Sequence, residues 1–231
     1  MMLRGGRVFR GLPIRTVGYV SRNPDDDTLK VVVIVEPLET GVRLASVAAA
    51  LVDQAGRLVS QWTAPDTEAR PLIGALTAQP GAYRLRVAAT DVSGRAGTAD
   101  YEIRAELAPA GPLTLSGLAL GLARGAAFAP RMEFGDEPSA MAYLELYGRP
   151  GSDAMWVSFE LARTLNGPAL VTTPGVIDGT RWPHQFVARG AIPIHTLPPG
   201  DYVVRAVGGI KGQPAKRVVR TLRKIAAAST P

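Results

Sequence analysis

The chain has 231 residues, 46% hydrophobic and 20% charged, enough apolar content to bury a core and too much for a disordered chain. It contains no cysteine, which excludes disulfides, Cys-based zinc sites and thiol nucleophiles. The net charge of +6 comes with 25 Gly and 19 Pro, a composition that fits many short strands joined by turns better than a helical bundle.

Residues 1–12 form a basic segment holding Arg4, Arg7 and Arg10 and no acid. It has the positive start of a secretory signal, but Gly5 to Gly11 never become the apolar run of about 7–15 residues that a signal needs. A first sandwich domain is expected over 13–107. Its strands fall at 14–20, 29–35, 47–52, 57–62, 73–77, 83–90 and 99–105, seven in all. Asn23-Pro24 with Asp25, Asp26 and Asp27 makes a solvated turn rather than a calcium loop, since no distal glutamate follows. Around 44–52 two readings compete, because Leu44, Val47, Ala48, Leu51 and Val52 also trace a helical stripe. The sequences Asp53-Gln54-Ala55-Gly56 and Asp91-Val92-Ser93-Gly94, each followed by arginine, read as hairpin turns with a left-handed glycine, which favours the strand.

Residues 108–112, rich in Pro, Ala and Gly, are the expected linker, and a second sandwich domain is expected over 113–225. Gly117, Gly121 and Gly125 follow a GxxxGxxxG spacing, but Arg124 breaks the run and it is shorter than the roughly 20 residues of a spanning helix. The expectation there is a strand followed by a Gly/Ala-rich loop, with no transmembrane segment. Strands follow at 128–134, 141–147, 156–162, 169–173, 186–195, 201–207 and 217–225, and 226–231 is a frayed tail. Lys211, Lys216, Arg217, Arg220, Arg223 and Lys224 make this end basic; without them and the three N-terminal arginines, 17 bases face 20 acids. Basic ends suit a phosphate backbone or an anionic surface, or are solvated strand faces, and nucleic acid is the less favoured partner.

Both halves carry one shared step. Pro80-Gly81-Ala82-Tyr83 and Pro199-Gly200-Asp201-Tyr202 each open a strand with a tyrosine, one strand before the domain ends. In immunoglobulin-like sandwiches a tyrosine at this place anchors the corner between the sheets through its hydroxyl. The predicted fold is therefore all-β, two tandem immunoglobulin-like or fibronectin-like sandwiches.

The order Leu12-Pro13-Ile14-Arg15, Lys30-Val31-Val32-Val33 and Leu51-Val52-Asp53 with Gly56-Arg57 carries a resemblance. So do Gly81 to Ala88, Pro112 to Ser116 and Ala142 to Gly148. Together they resemble the region downstream of the metal-binding domain in exported bacterial von Willebrand factor A-related proteins. The resemblance implies a β-rich extracytoplasmic region without assigned activity, part of a longer periplasmic, cell-surface or secreted protein; a chain that starts at Met1 would instead be cytoplasmic. The A domain is absent, and its D-x-S-x-S motif is approached only by Asp91-Val92-Ser93-Gly94-Arg95, so no metal site carries over.

Catalytic and cofactor signals are absent: there is no G-x-S-x-G elbow, P-loop or dinucleotide fingerprint. His195 reads as a strand-end residue, Asp136 and Glu137 as a turn, and Glu145 and Glu160 as solvent-facing strand positions rather than a glycosidase pair. The candidate binding residues are Met141, Tyr143 and Tyr147 on one face of a strand, Trp156, and Trp182 with His184 in a long loop. They suit a protein or domain partner, or a glycan. The expected function is a non-catalytic structural or interaction module with no cofactor.

Overall fold

The structure is a computed structural model describing residues 8–24, 26, 28–125, 127–149 and 154–226. Every regular element among them is a β-strand. The chain divides into two compact units, Met1–Glu106 and Leu107–Pro231. The expected strand 47–52 is indeed a strand, and the expected linker 108–112 contains a strand instead of an open connection.

The first unit has seven strands: β1 (Ile14–Arg22), β2 (Leu29–Pro37), β3 (Leu44–Val52), β4 (Leu58–Thr63), β5 (Leu72–Ala78), β6 (Gly81–Asp91) and β7 (Ala96–Ala105). They form an antiparallel sheet β1-β2-β5 and a second sheet β4-β3-β6-β7. An immunoglobulin constant-type sandwich places its fourth strand beside the fifth. Here β4 pairs β3, so the split is three strands against four. Alternation decides the faces: Val31, Val33, Val35, Leu72 and Leu76 bury from one sheet, Val47, Leu51, Leu85 and Val87 from the other. The helical stripe at 44–52 loses because Val47, Ala49 and Leu51 all bury on one side between two hydrogen-bonded neighbours.

Both Asp-x-x-Gly hairpins form with the same chemistry. Gly56 and Gly94 sit at φ 79° and 85°, where a side chain is strained, and each donates its amide to the carbonyl of the turn's aspartate at 3.0 Å. The Asp53 carboxylate accepts from the Arg57 amide at 2.9 Å and Nε at 2.8 Å. Asp91 accepts from the Arg95 amide at 2.9 Å and Nε at 2.7 Å, and also from the Ser93 amide and hydroxyl. The arginine after each turn thus closes it. The N-terminal residues 9–12 are not a free basic arm either. They lie along β7: the Thr98 amide donates to the Phe9 carbonyl at 3.0 Å, the Phe9 amide to the Thr98 hydroxyl at 3.0 Å, and the Leu12 amide to the Ala96 carbonyl at 2.9 Å. Asp25 and Asp27 and residues 1–7 lie outside the described residues.

The described residues of the second unit form twelve strands: β8 (Ala108–Ala110), β9 (Leu113–Leu115), β10 (Ala119–Arg124), β11 (Ala127–Pro130), β12 (Glu133–Phe134), β13 (Ser139–Gly148), β14 (Met155–Ala162), β15 (Ala169–Pro174), β16 (Val176–Gly179), β17 (Gln185–Pro193), β18 (Gly200–Ile210) and β19 (Lys216–Lys224). One sheet runs β11-β10-β13-β17-β16, with the β8–β9 hairpin joined to β13; the other runs β12-β19-β18-β14-β15. Among the described residues only β12 and β19 pair in parallel. One buried cluster takes Leu144, Leu146, Ala188 and Ile192 from the first sheet and Phe159, Leu161, Tyr202, Val204 and Leu222 from the second, so the sheets pack face to face.

The Gly/Ala-rich stretch after 118 is a hairpin, β10–β11, rather than the expected loop. Gly121 allows it, because a Cβ there would meet the Ala129 backbone. The loop expected before Phe186 also contains β16. Residues 169–179 are one extended stretch that changes sheets at Pro174-Gly175: β15 pairs β14, the Gly175 amide reaches the Val157 carbonyl at 2.8 Å, and β16 then pairs β17. Of the expected tail, residues 227–231 lie outside the described residues.

Both tyrosine corners are present. The Tyr83 hydroxyl donates to the Gln79 carbonyl at 2.9 Å and the Tyr202 hydroxyl to the Pro198 carbonyl at 2.8 Å, in each case four residues upstream. Each tyrosine opens the penultimate strand of its unit, β6 and β18. Tyr202 is fully buried while Tyr83 is half-buried. Tyr202→Phe is therefore expected to cost about 1–2 kcal/mol by leaving a carbonyl without its donor, and Tyr83→Phe less, measured by urea unfolding. Equal and negligible effects at both sites would remove the corner from the account of stability.

The hydroxyl of Ser93, followed by the Arg95 side chain and amide, holds the Asp91 carboxyl at about 2, below its ordinary 3.8. A depressed folded value stabilises the fold fully above pH 3.8, and that contribution disappears as pH falls through about 2. Carboxyl-carbon NMR should find Asp91 titrating near 2, and Asp91→Asn should flatten the acid limb of the stability profile.

Candidate interaction surface

The outer face of the β12-β19-β18-β14-β15 sheet is built by alternation. Along β14, Val157, Phe159 and Leu161 point into the core, leaving Trp156, Ser158 and Glu160 outside. The register sets Trp156 opposite Gly209, Ser158 opposite Val207 and Glu160 opposite Arg205. Across the next pairing Arg205 faces Val219 and Val207 faces Arg217.

Arg205 is the organising side chain of this face. It is 5% exposed, and its guanidinium meets Glu160 Oε2 at 2.8 Å. The same group donates to the carbonyls of Leu165 at 3.3 Å and Gly167 at 2.7 Å, while Arg217 Nη2 donates to Asn166 Oδ1 at 3.2 Å. Two arginines of the outer face thus draw the β14–β15 turn over the sheet. A buried cation needs both a counter-charge and acceptors, and here it has Glu160 and two carbonyls. The turn in consequence displays Leu165, 47% exposed, beside Leu170 on β15 at 48%, Val219 on β19 at 45% and Trp156 at 38%. Trp156, Leu170 and Val219 therefore lie on the outer side of this sheet, with the turn that carries Leu165 drawn over it.

The aromatic residues expected to act together are divided between faces. Met141, Tyr143 and Tyr147 do lie on the outer side of β13, since Ala142, Leu144 and Leu146 are buried in the core. That outer side belongs to the other sheet, so Trp156 is on the opposite face of the sandwich from them. Nor do the tyrosines form an open stripe. Tyr147 is 2% exposed, and Tyr143 stacks on Phe128 with ring centroids 4.9 Å apart. Both hydroxyls donate to the Glu145 carboxylate, Tyr143 at 3.2 Å, and Gln185 Nε2 adds a third donor at 3.2 Å. Glu145 is accordingly a structural acceptor, not a solvent-facing acid. With Glu145 and Glu160 on opposite outer faces, the two cannot flank one glycosidic bond.

In the loop after β16, Trp182 is half-buried and its ring carries the Arg181 guanidinium 4.1 Å from its centroid. His184 is exposed, with φ 62°, and its carbonyl accepts the Gly148 amide at 2.9 Å. The cation on Trp182 occupies a ring face that a ligand would need. Glu137 accepts from Arg131 and from the Gly135 amide, which makes 135–137 a closed turn. Among the described residues no three His, Asp or Glu side chains gather as metal ligands, and no helix is long and apolar enough to cross a membrane.

The basic C-terminal run is also largely engaged. Arg223 pairs with Asp201 at 2.8 Å, Arg217 holds the β14–β15 turn, and the buried Lys224 donates to the Gly135 carbonyl. A phosphate backbone would have to displace these partners. Sequence reasoning found Trp156 but missed Arg205, Leu165, Leu170 and Val219. A strand's outer side was legible for Arg205, Leu170 and Val219, yet the turn that carries Leu165 over the sheet was not.

No family model and no curated protein matches the chain. Among solved structures it is similar to the fibronectin(III)-like modules of Clostridium thermocellum CbhA, at 13% identity over 87% of this chain and 88% of that one, with a TM-score of 0.25. A likeness at that level carries no argument, and the sandwich architecture described above rests on the strands and sheets themselves.

Removing Glu160 tests the face directly. Glu160→Ala leaves the buried Arg205 cation with carbonyls alone, and is expected to cost about 3 kcal/mol in urea unfolding. Glu160→Gln, which keeps an acceptor, should cost less. Equal small effects would show that Arg205 does not depend on its counter-charge.

Proposed function

We propose that this chain is a non-catalytic β-sandwich pair that works by protein contact, through the outer face of the β12-β19-β18-β14-β15 sheet. The observation that carries the reading is that Trp156, Leu170 and Val219 lie exposed on that face, while Arg205 pins over it the turn that carries the exposed Leu165. Exposed large apolar side chains set among polar groups mark contact sites, and the buried arginine fixes the turn among them. The polar clusters elsewhere support the same reading, since Glu145, Asp53, Asp91 and Glu137 all spend their oxygens on neighbouring donors. The resemblance to the sandwich region of exported von Willebrand factor A-related proteins adds an extracytoplasmic setting to the proposal, with the contact serving a larger surface or secreted assembly.

Val219→Lys and Leu170→Lys test it, because both residues are exposed and neither closes the core. Proteins retained from the source cells by the wild-type chain should be lost from each variant, with about tenfold weaker binding, while Val92→Lys in the first unit leaves them bound. Retention by all three variants would reject this face. Hydrolytic turnover abolished by His184→Ala would reject the non-catalytic reading. Quenching of tryptophan fluorescence by a soluble glycan, lost in Trp156→Phe, would replace a protein partner with a sugar.

A further inference from the structure

We propose that the Asn166-Gly167 step in the β14–β15 turn is a self-modification site, where the asparagine side chain loses its amide as ammonia and Arg217 stabilises the reacting carbonyl. This chemistry belongs to the turn itself and holds whether or not the sheet face beneath it binds a protein. The chain has two asparagines. Asn23 precedes Pro24, whose nitrogen carries no proton and cannot attack. Asn166 precedes Gly167, where no Cβ crowds the approach of the backbone nitrogen to the side-chain carbon. Asn166 is also exposed, so water reaches it.

Water is the only co-reactant the step needs. The Gly167 nitrogen gives its proton to a solvent base and bonds to Asn166 Cγ, closing a cyclic imide. The Cγ–Nδ2 bond breaks, and Nδ2 takes up a proton and leaves as ammonia. Water then opens the imide at either carbonyl. Opening at Cγ leaves aspartate, whereas opening at the main-chain carbonyl leaves isoaspartate, with the backbone routed through Cβ and Cγ.

The fold favours this step at the turn in two ways. Arg217 Nη2 donates to Asn166 Oδ1 at 3.2 Å, and Oδ1 is the atom that gains negative charge as Cγ becomes tetrahedral. Among the described residues Arg217 pairs with no carboxylate; its other acceptor is the Leu165 carbonyl at 3.5 Å, so its charge is not already spent on an acid. The attacking nitrogen, for its part, is loosely held. Its proton is shared with the Thr164 carbonyl at 3.3 Å, longer than the usual amide hydrogen bond. Arg205 grips the same turn by the Gly167 and Leu165 carbonyls at 2.7 Å and 3.3 Å. The turn is thus fixed at its carbonyls and weakly tied at the nitrogen that reacts. Either product puts a new carboxylate beside Arg217, and isoaspartate also lengthens the main chain of the turn that carries Leu165.

The test follows the folded full chain in mildly alkaline buffer at physiological temperature over weeks, by peptide mass mapping and an isoaspartate assay. Asn166 is expected to convert to aspartate and isoaspartate, faster as pH rises because the nucleophile is the deprotonated amide. Arg217→Gln should slow the folded chain about tenfold, the rate equivalent of one charge-assisted hydrogen bond, and leave the rate in urea unchanged. Arg217→Lys, which keeps a charged donor, should retain most of the rate. Asn166→Gln, which keeps the amide oxygen but needs a larger ring, should stay unmodified. A folded chain whose Asn166 persists throughout overturns the proposal. So does Arg217→Gln reacting as fast as the wild type or faster, the result expected if Arg217 did no more than hold the turn still.

Discussion

Each sandwich is closed by aromatic rings of one sheet lying against glycines of the other. In the first unit the Trp62 ring on β4 occupies the space where Gly74 on β5 would carry a Cβ, and Tyr101 on β7 does the same to Gly18 on β1. In the second unit Phe159 on β14 covers Gly190 on β17. In each of these three pairs the glycine and the aromatic residue lie on facing sheets. Antibody-type sandwiches often join their sheets with a disulfide beside a tryptophan. This chain has no cysteine, so large-on-small packing carries the join. A buried ring contributes about 2–3 kcal/mol of transfer free energy, and the missing Cβ lets the sheets approach closely enough to collect it.

That closure sets what is left for the outside. Once the inner faces are committed, alternate residues of the same strands must face outward, and they do so as ordered polar clusters. Glu145 collects two tyrosine hydroxyls and an amide, Arg205 collects Glu160 and two carbonyls, and Asp53 and Asp91 close their turns with arginine. Many of the charged groups that give the chain its basic balance are thereby neutralised locally. What remains is apolar side chain, and in the second unit Trp156, Leu170 and Val219 leave theirs on the outer face of one sheet.

Much of the architecture was written in local sequence. The Pro-Gly-x-Tyr steps located both corner tyrosines, because a turn followed by a tyrosine at the head of an alternating strand admits few other arrangements. The Asp-x-x-Gly-Arg turns located two hairpins, because the glycine supplies the left-handed conformation and the aspartate the acceptor, all within five residues. The first unit's seven strands were legible for the same reason. The second unit's short strands β8 and β16 were not, and the one strand expected over 128–134 is two, β11 and β12, in different sheets, since two to four residues leave no period to read.

The candidate site divides along the same line. Alternation alone determined that Met141, Tyr143 and Tyr147 share one side of a strand and that Trp156 points away from the core of its own. Which sheet each strand joined was a tertiary decision, made by pairing between residues scores of positions apart, and it put Trp156 on the opposite face from the tyrosines. The same holds for Arg205. Its position on an outer strand face follows from period two, but its burial depends on a turn forty residues earlier folding over it. Sequence fixes which way a side chain leaves its strand, since that is a property of the backbone repeat; what it meets there is decided only when the two sheets close.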